Sequence, residues 1–197
     1  MNCDSENHHR RSIRLKGYDY SQDGAYFVTI CTCDRACLFG KISNEKMTLN
    51  ECGEVVDRYW NEIPQHFLEA DLDEYIIMPN HIHGIITIKQ FVGAKDFSPD
   101  TNHSAQSIYF PDTKGAKDFS PLHATAHGTS KTIGSIIRGF KIGVTKWVRN
   151  AMDIRDAWQR NYYEHVIRDD DDLTRVREYI IENPANWAID KNNPKRI

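Results

Sequence analysis

The chain has 197 residues, 40% hydrophobic and 27% charged, with a formal net charge of −3. That length supports one domain with a real core, and such a charge argues neither for nor against a nucleic-acid partner, so the placement of the basic residues matters more than their number. No apolar run approaches the ~18 residues of a membrane span, and the opening MNCDSENHHRRSIRLKGYDY has no apolar signal core, which points to the cytoplasm.

Arg10, Arg11, Arg14 and Lys16 form a basic arm within residues 1–20. AYFVTICTC (Ala25–Cys33) is β-branched and aromatic and predicts a strand. The cysteines there, with Cys3, Cys37 and Cys52, read as free thiols in a cytoplasmic chain. Cys31 and Cys33 lack a second Cys/His pair at finger-like spacing, so strand thiols fit better than a zinc site. LFGKISNEKMTLN predicts a hairpin turning near Ser43–Asn44–Glu45. Asn50 can cap a helix whose Val55, Val56, Tyr59, Trp60 and Ile63 recur at helical spacing, with Pro64 marking its end. LDEYIIM and HIHGIITI predict two strands joined at the turn dipeptide Pro79–Asn80.

Between residues 90 and 130 the periodicity collapses into Gly, Ser, Thr, Asp, Pro and His, and GAKDFSP occurs twice. Two copies are too few for a stacked solenoid; a duplicated, poorly ordered insertion is expected. Beyond it, Ser130 can cap a helix with Ile133, Ile136, Ile137, Phe140, Val144, Trp147 and Val148 on one stripe. Arg138, Lys141, Lys146 and Arg149 decorate that helix with no acid to balance them, either as a solvated face or as a phosphate-binding surface. NYYEHVI predicts a strand, and DDDDLTRVREYIIENPANW a helix opened by acids, with Leu173, Val176, Ile180 and the stem of Arg177 inward and Pro184 closing it.

With the hairpin set aside, the order is β-α-β-β-α-β plus a terminal helix. This predicts an α+β, ferredoxin-like antiparallel sheet with helices packed on one face. The expected organisation is a single domain over 21–190, interrupted at 90–130, with a tail at 191–197.

His81 and His83 occupy alternate strand positions, so both project from one face. Two imidazoles on one face can grip a cation but cannot complete its shell; equally, they can be polar residues on a solvated strand face. Tyr179 and Asn183 share a face of the last helix, one turn apart. The amide oxygen can serve a hard metal and the phenol can be a nucleophile. The plainer alternative is a core-rim tyrosine and a polar helix end. Tyr162 and Tyr163, beside Arg160, can stack on bases.

With MPNHIHG, then WQRNYYEHVIR, then REYIIENP in this order, the chain resembles the single-tyrosine transposases of the His-hydrophobe-His endonuclease superfamily, in particular their REP-associated branch. The resemblance runs from about Arg10 to Trp187, broken by the 90–130 insertion. It implies a divalent metal, Mg²⁺ or Mn²⁺, held by His81 and His83, and a nucleophilic Tyr179. It also places a polar residue that completes the metal shell at Asn183, a position where the family varies. The implied substrate is single-stranded DNA with hairpin structure, cut through a 5′-phosphotyrosine intermediate, by a monomer or a homodimer. Arg10, Arg11, Arg14, Lys16, Arg138, Lys141, Lys146, Arg149, Arg160 and Tyr163 are the expected DNA contacts. Two alternatives remain open: a non-cleaving single-strand DNA-binding module, and a rolling-circle replication initiator or relaxase, although those are usually longer.

Overall fold

The computed structural model describes residues 18, 22–89 and 132–196. The basic arm at Arg10, Arg11, Arg14 and Lys16, the cap expected at Ser130 and all of the 90–130 insertion lie outside the described residues.

Among the described residues six strands form: β1 (Gly24–Cys31), β2 (Gly40–Ser43), β3 (Lys46–Leu49), β4 (Ala70–Met78), β5 (His81–Ile88) and β6 (Tyr163–Ile167). Four helices accompany them: α1 (Glu51–Asn61), the single turn α2 (Ile63–His66), α3 (Ile133–Met152) and α4 (Asp170–Glu182). The main sheet runs β4-β5-β1-β6 with every pair antiparallel. This is the α+β, ferredoxin-like order expected from the sequence, while β2 and β3 pair as a separate hairpin.

Local chemistry accounts for most boundaries. Asn44 and Glu45 adopt positive φ at the β2–β3 turn, which turns the hairpin with the twist its strands need. Asn50 caps α1, its side chain accepting from the Gly53 N–H. Pro64 opens the α2 turn instead of ending α1, because a proline in a first turn forfeits no helical hydrogen bond. α3 is capped by Thr132, with Ser135 completing a reciprocal box. Asp169 caps α4 by accepting from the Asp172 N–H.

The two sheet faces are covered differently. Tyr26, Val28, Ile30, Ile82, Ile86 and Ile88 face α1 and α3, and meet Trp60, Ile137, Phe140 and Val144 in the main core. The opposite face carries Phe27 and Ile85, covered by α4 through Ile180, Leu173 and Val176. Strand alternation therefore turns Ile82 into the main core and His81 and His83 beneath α4.

Gly84, which ends the HIHG motif, answers to the main core. A Cβ there would stand 2.4 Å from Trp60 Cζ2 and 3.0 Å from Tyr75 Cβ. Trp60 is fully buried and pinned between Tyr75 and Phe140. Gly84→Ala is therefore expected to destabilise the fold by about 1–3 kcal/mol through overpacking; urea denaturation with an unchanged midpoint would show that the indole can move aside.

Candidate metal and tyrosine site

His81 and His83 are 0% and 1% exposed. Their partners on β1 are Cys31 and Thr29, and on β4 Met78 and Ile76. The two ring centroids lie 4.5 Å apart and the two Nε2 atoms converge to 3.0 Å. Each ring is held from behind: His81 Nδ1 is 2.8 Å from Asn80 Oδ1, and His83 Nδ1 is 2.8 Å from Thr29 Oγ1. Phe27 stacks on His83 with centroids 5.4 Å apart.

Burial depresses the pKa of both imidazoles. For His81 the Asp190 carboxylate opposes that shift, while Lys191 and Arg35 add to it. For His83 the neighbouring His81 and Lys191 deepen it. Both rings are thus neutral at pH 7, the form that carries a lone pair for a metal.

A third potential ligand comes from the C-terminal segment. Asp190 follows the short turn Trp187–Ile189, is 9% exposed, and accepts from the Asn192 N–H. One ligand atom from each of His81, His83 and Asp190 lies within 4.8 Å of the other two. Two imidazole nitrogens and a carboxylate are a donor set for a borderline-to-hard divalent ion, and these three residues can hold one.

α4 completes the constellation. The Tyr179 hydroxyl lies 3.3 Å from His83 Nε2, and its ring meets His83 and Phe27 edge-on, with centroids 5.1 and 5.9 Å away. Tyr179 is nevertheless 42% exposed, so solvent and a ligand can reach it. Its pKa is raised, first by burial and then by the Asp190 carboxylate, with the Asn183 amide pulling the other way. One turn on, Asn183 is 2% exposed and its Oδ1 accepts no hydrogen bond. A buried carbonyl oxygen without a donor is costly.

α4 is seated by charge as well as by its apolar residues. Arg177 clasps Asp73 in a two-pronged pair at 2.8 and 2.6 Å, which holds that carboxyl below the usual carboxylate range. The β4 register shifts between Leu72 and Tyr75, and this bulge presents Asp73 to the helix. Near the helix start, His165 Nε2 meets Asp172 Oδ2 at 2.8 Å.

The remaining expected contacts fall in two places. Arg138, Lys141, Lys146, Arg149 and Arg160 line a groove of about 720 Å³ between α3 and the loop entering β6. Of these, Lys141 is already engaged: its ammonium donates to the Gln159 and Asn161 carbonyls at 2.8 and 3.0 Å, and burial pushes its pKa down to about 8. Arg149 Nε donates to the Arg155 carbonyl at 3.0 Å. Tyr163 is separate from this groove and faces the site side of the sheet, edge-on to Phe27, with Lys191 Nζ 5.6 Å from its ring centre.

Asp190, Lys191, Asn80 and Thr29 were not singled out from the sequence. From the sequence Asn80 reads as a turn residue. Asp190 sits in AIDKNNPKRI, where acids, lysines and asparagines have the composition of a solvated tail. Among the described residues, no cysteine joins the metal-ligand cluster.

No family model matches the chain. An uncharacterized protein of Haemophilus influenzae is 46% identical over 184 residues, covering 93% of each chain. The solved structure of a REP-associated tyrosine transposase bound to a REP hairpin superposes with a TM-score of 0.51 at 18% identity, over 89% of this chain and 74% of that one. The chain belongs to one family with the Haemophilus influenzae protein, and its fold is that of the REP-associated tyrosine transposase.

Proposed function

We propose that this chain is a metal-dependent single-strand DNA endonuclease and strand transferase, a transposase in which Tyr179 is the nucleophile. The observation that carries the reading is the seating of the Tyr179 hydroxyl 3.3 Å from His83 Nε2, within a cluster that also holds His81 and Asp190. Tyr179 and the His81–His83–Asp190 cluster come together from sequence positions 96 apart, which a core-rim tyrosine has no need to do.

His81, His83 and Asp190 would hold the ion, with Asn183 Oδ1 as a further donor. A Mg²⁺ or Mn²⁺ ion held there would supply positive charge to offset the negative charge of the phosphodiester during attack. Tyr179 Oη forms a bond to phosphorus as the bond from phosphorus to the 3′ oxygen breaks. The phenolic proton leaves to solvent through the open side of the ring, and the departing 3′ oxygen takes up a proton. The DNA 5′ end is then held as a phosphotyrosine, and attack by a 3′-hydroxyl reverses the step without loss of the phosphoester.

Hairpin-containing single-stranded DNA is the favoured substrate class, because the transposase sharing this fold is bound to a REP hairpin. Arg138, Lys146, Arg149 and Arg160 suit the DNA backbone, and Tyr163 with Lys191 suits a base and phosphate beside the site. The basic arm Arg10–Lys16 would add backbone contacts. His81, His83, Asp190 and Tyr179 come together within one chain, which favours a monomer as the cleaving unit.

The test is a hairpin-tailed single strand labelled at its 3′ end and incubated with the protein and Mn²⁺. A covalent adduct on a denaturing gel is expected, and EDTA should prevent it. Metal and DNA binding with neither adduct nor cut strand would replace this reading with a non-cleaving binding module.

A further inference from the structure

Asn80 has a role that neither the tyrosine chemistry nor the fold alone requires. It is fully buried, and all the hydrogen-bonding groups of its side chain are committed. Nδ2 donates to the Arg35 carbonyl at 2.9 Å and to the Asn192 carbonyl at 2.8 Å, using both amide hydrogens. Flipping the amide would turn its oxygen onto two carbonyl oxygens, so the orientation is dictated by its partners. Oδ1 must then face His81 Nδ1, 2.8 Å away, and can only accept there. The neutral imidazole of His81 therefore carries its proton on Nδ1 and presents a bare Nε2 lone pair to the cluster.

Thr29 treats His83 differently. A hydroxyl can donate to Nδ1 or accept from it, so Thr29 tolerates either tautomer of His83. In the metal-free protein His83 Nε2–H can donate to His81 Nε2 across their 3.0 Å contact. With a cation present, His83 can carry its proton on Nδ1 instead and donate a hydrogen bond from there to Thr29 Oγ1. The two histidines thus have one fixed and one adaptable backing.

The second bond of Asn80 has a further consequence. The Asn192 carbonyl belongs to the segment that brings Asp190 to the site, and Asn192 is itself 5% exposed. One amide therefore touches both the backing of His81 and the backbone that carries the carboxylate.

On the metal-site reading above, we infer that Asn80 is the positioning residue of the centre: it locks His81 in the metal-ready tautomer and ties that ring to the Asp190 segment. Partners that orient a metal-bound histidine are worth about 10–100-fold in metal affinity, and the same range is expected here.

The experiment uses full-length protein with ¹⁵N-labelled histidine. In metal-free wild type, long-range ¹H–¹⁵N correlations should show His81 with a protonated Nδ1 and an unprotonated Nε2. Asn80→Ala should lose that single tautomer and bind Mn²⁺ about 10–100-fold more weakly by calorimetry. The wild-type tautomer is read without any variant, which tests the idea even if the alanine variant folds poorly. A wild-type His81 protonated on Nε2 would overturn the proposal. So would an Asn80→Ala protein with unchanged tautomer and affinity. If these spectra and affinities come out as expected while wild type cuts no single strand, the Asn80 assignment stands and only the transposase reading falls.

Discussion

Tyr179→Phe is expected to reduce covalent adduct formation on the hairpin strand by ~10³-fold or more, the scale of losing a nucleophile outright. The substitution is clean because the phenyl ring keeps what holds Tyr179 in place. Its edge-on contacts with His83 and Phe27 are between rings, and Ile180, Leu173 and Val176 still seat α4 on the sheet. Only the hydroxyl is lost, from a side chain that is 42% exposed, so stability should change by less than about 1 kcal/mol. Metal affinity should stay near wild type, because the phenol is not among the His81, His83 and Asp190 ligands.

The pH dependence adds a second readout. Burial and Asp190 raise the phenol above its ordinary value of 10.0, so the phenolate is scarce at neutral pH and its fraction climbs roughly tenfold per pH unit below the pKa. Wild-type cleavage should rise with pH over the alkaline range. An adduct that persists in Tyr179→Phe would move the nucleophile elsewhere, with Tyr163, on the same face of the sheet, the first alternative.

The features legible in the sequence are those governed by short-range periodicity. Alternation in HIHGIITI puts His81 and His83 on one face, and the one-turn spacing of Tyr179 and Asn183 groups them on α4. The β-α-β-β-α-β order yields the sheet, because antiparallel neighbours with helical crossovers have few alternatives. What stays hidden depends on partners that no local rule reaches. Lys141 looks like another exposed base on α3, yet its acceptors are carbonyls in the loop before β6. Asp190 borders the polar tail, in a stretch whose composition suggests solvent; it is buried because the Trp187–Ile189 turn folds the chain back and Asn192 reaches Asn80. Gly84 reads as a generic strand glycine until Trp60 is seen against it. The inward stripe of α4 is weaker than that of α3 because only Ile180 is fully buried on it, with Leu173 and Val176 half-buried and Arg177 and Asp172 adding charged contacts.

His83→Ala is expected to cost more metal affinity than the ~10–100-fold that follows loss of a positioning partner, because it removes a ligand itself and leaves His81 and Asp190 too few to chelate. Mn²⁺ titration by calorimetry measures this, and an affinity equal to wild type would remove His83 from the shell. The same variant tests the electrostatics without metal. Burial lowers the folded-state pKa of both histidines below the ordinary 6.5, so between those values the unfolded chain binds more protons than the folded one. Stability is then fully present above about pH 6.5 and is lost as the pH falls toward the depressed values. Metal-free wild type should therefore lose stability steeply on acidification over that window. Removing His83 deletes one such group, whose pKa burial and the neighbouring His81 both lower. His83→Ala should start less stable at pH 7, for its cavity and the unmet Thr29 hydroxyl, yet show a shallower acid slope. Parallel slopes in the two proteins would mean that the buried pair is hydrated enough to titrate normally, and the site would then need a different account of how it keeps both lone pairs available to a cation.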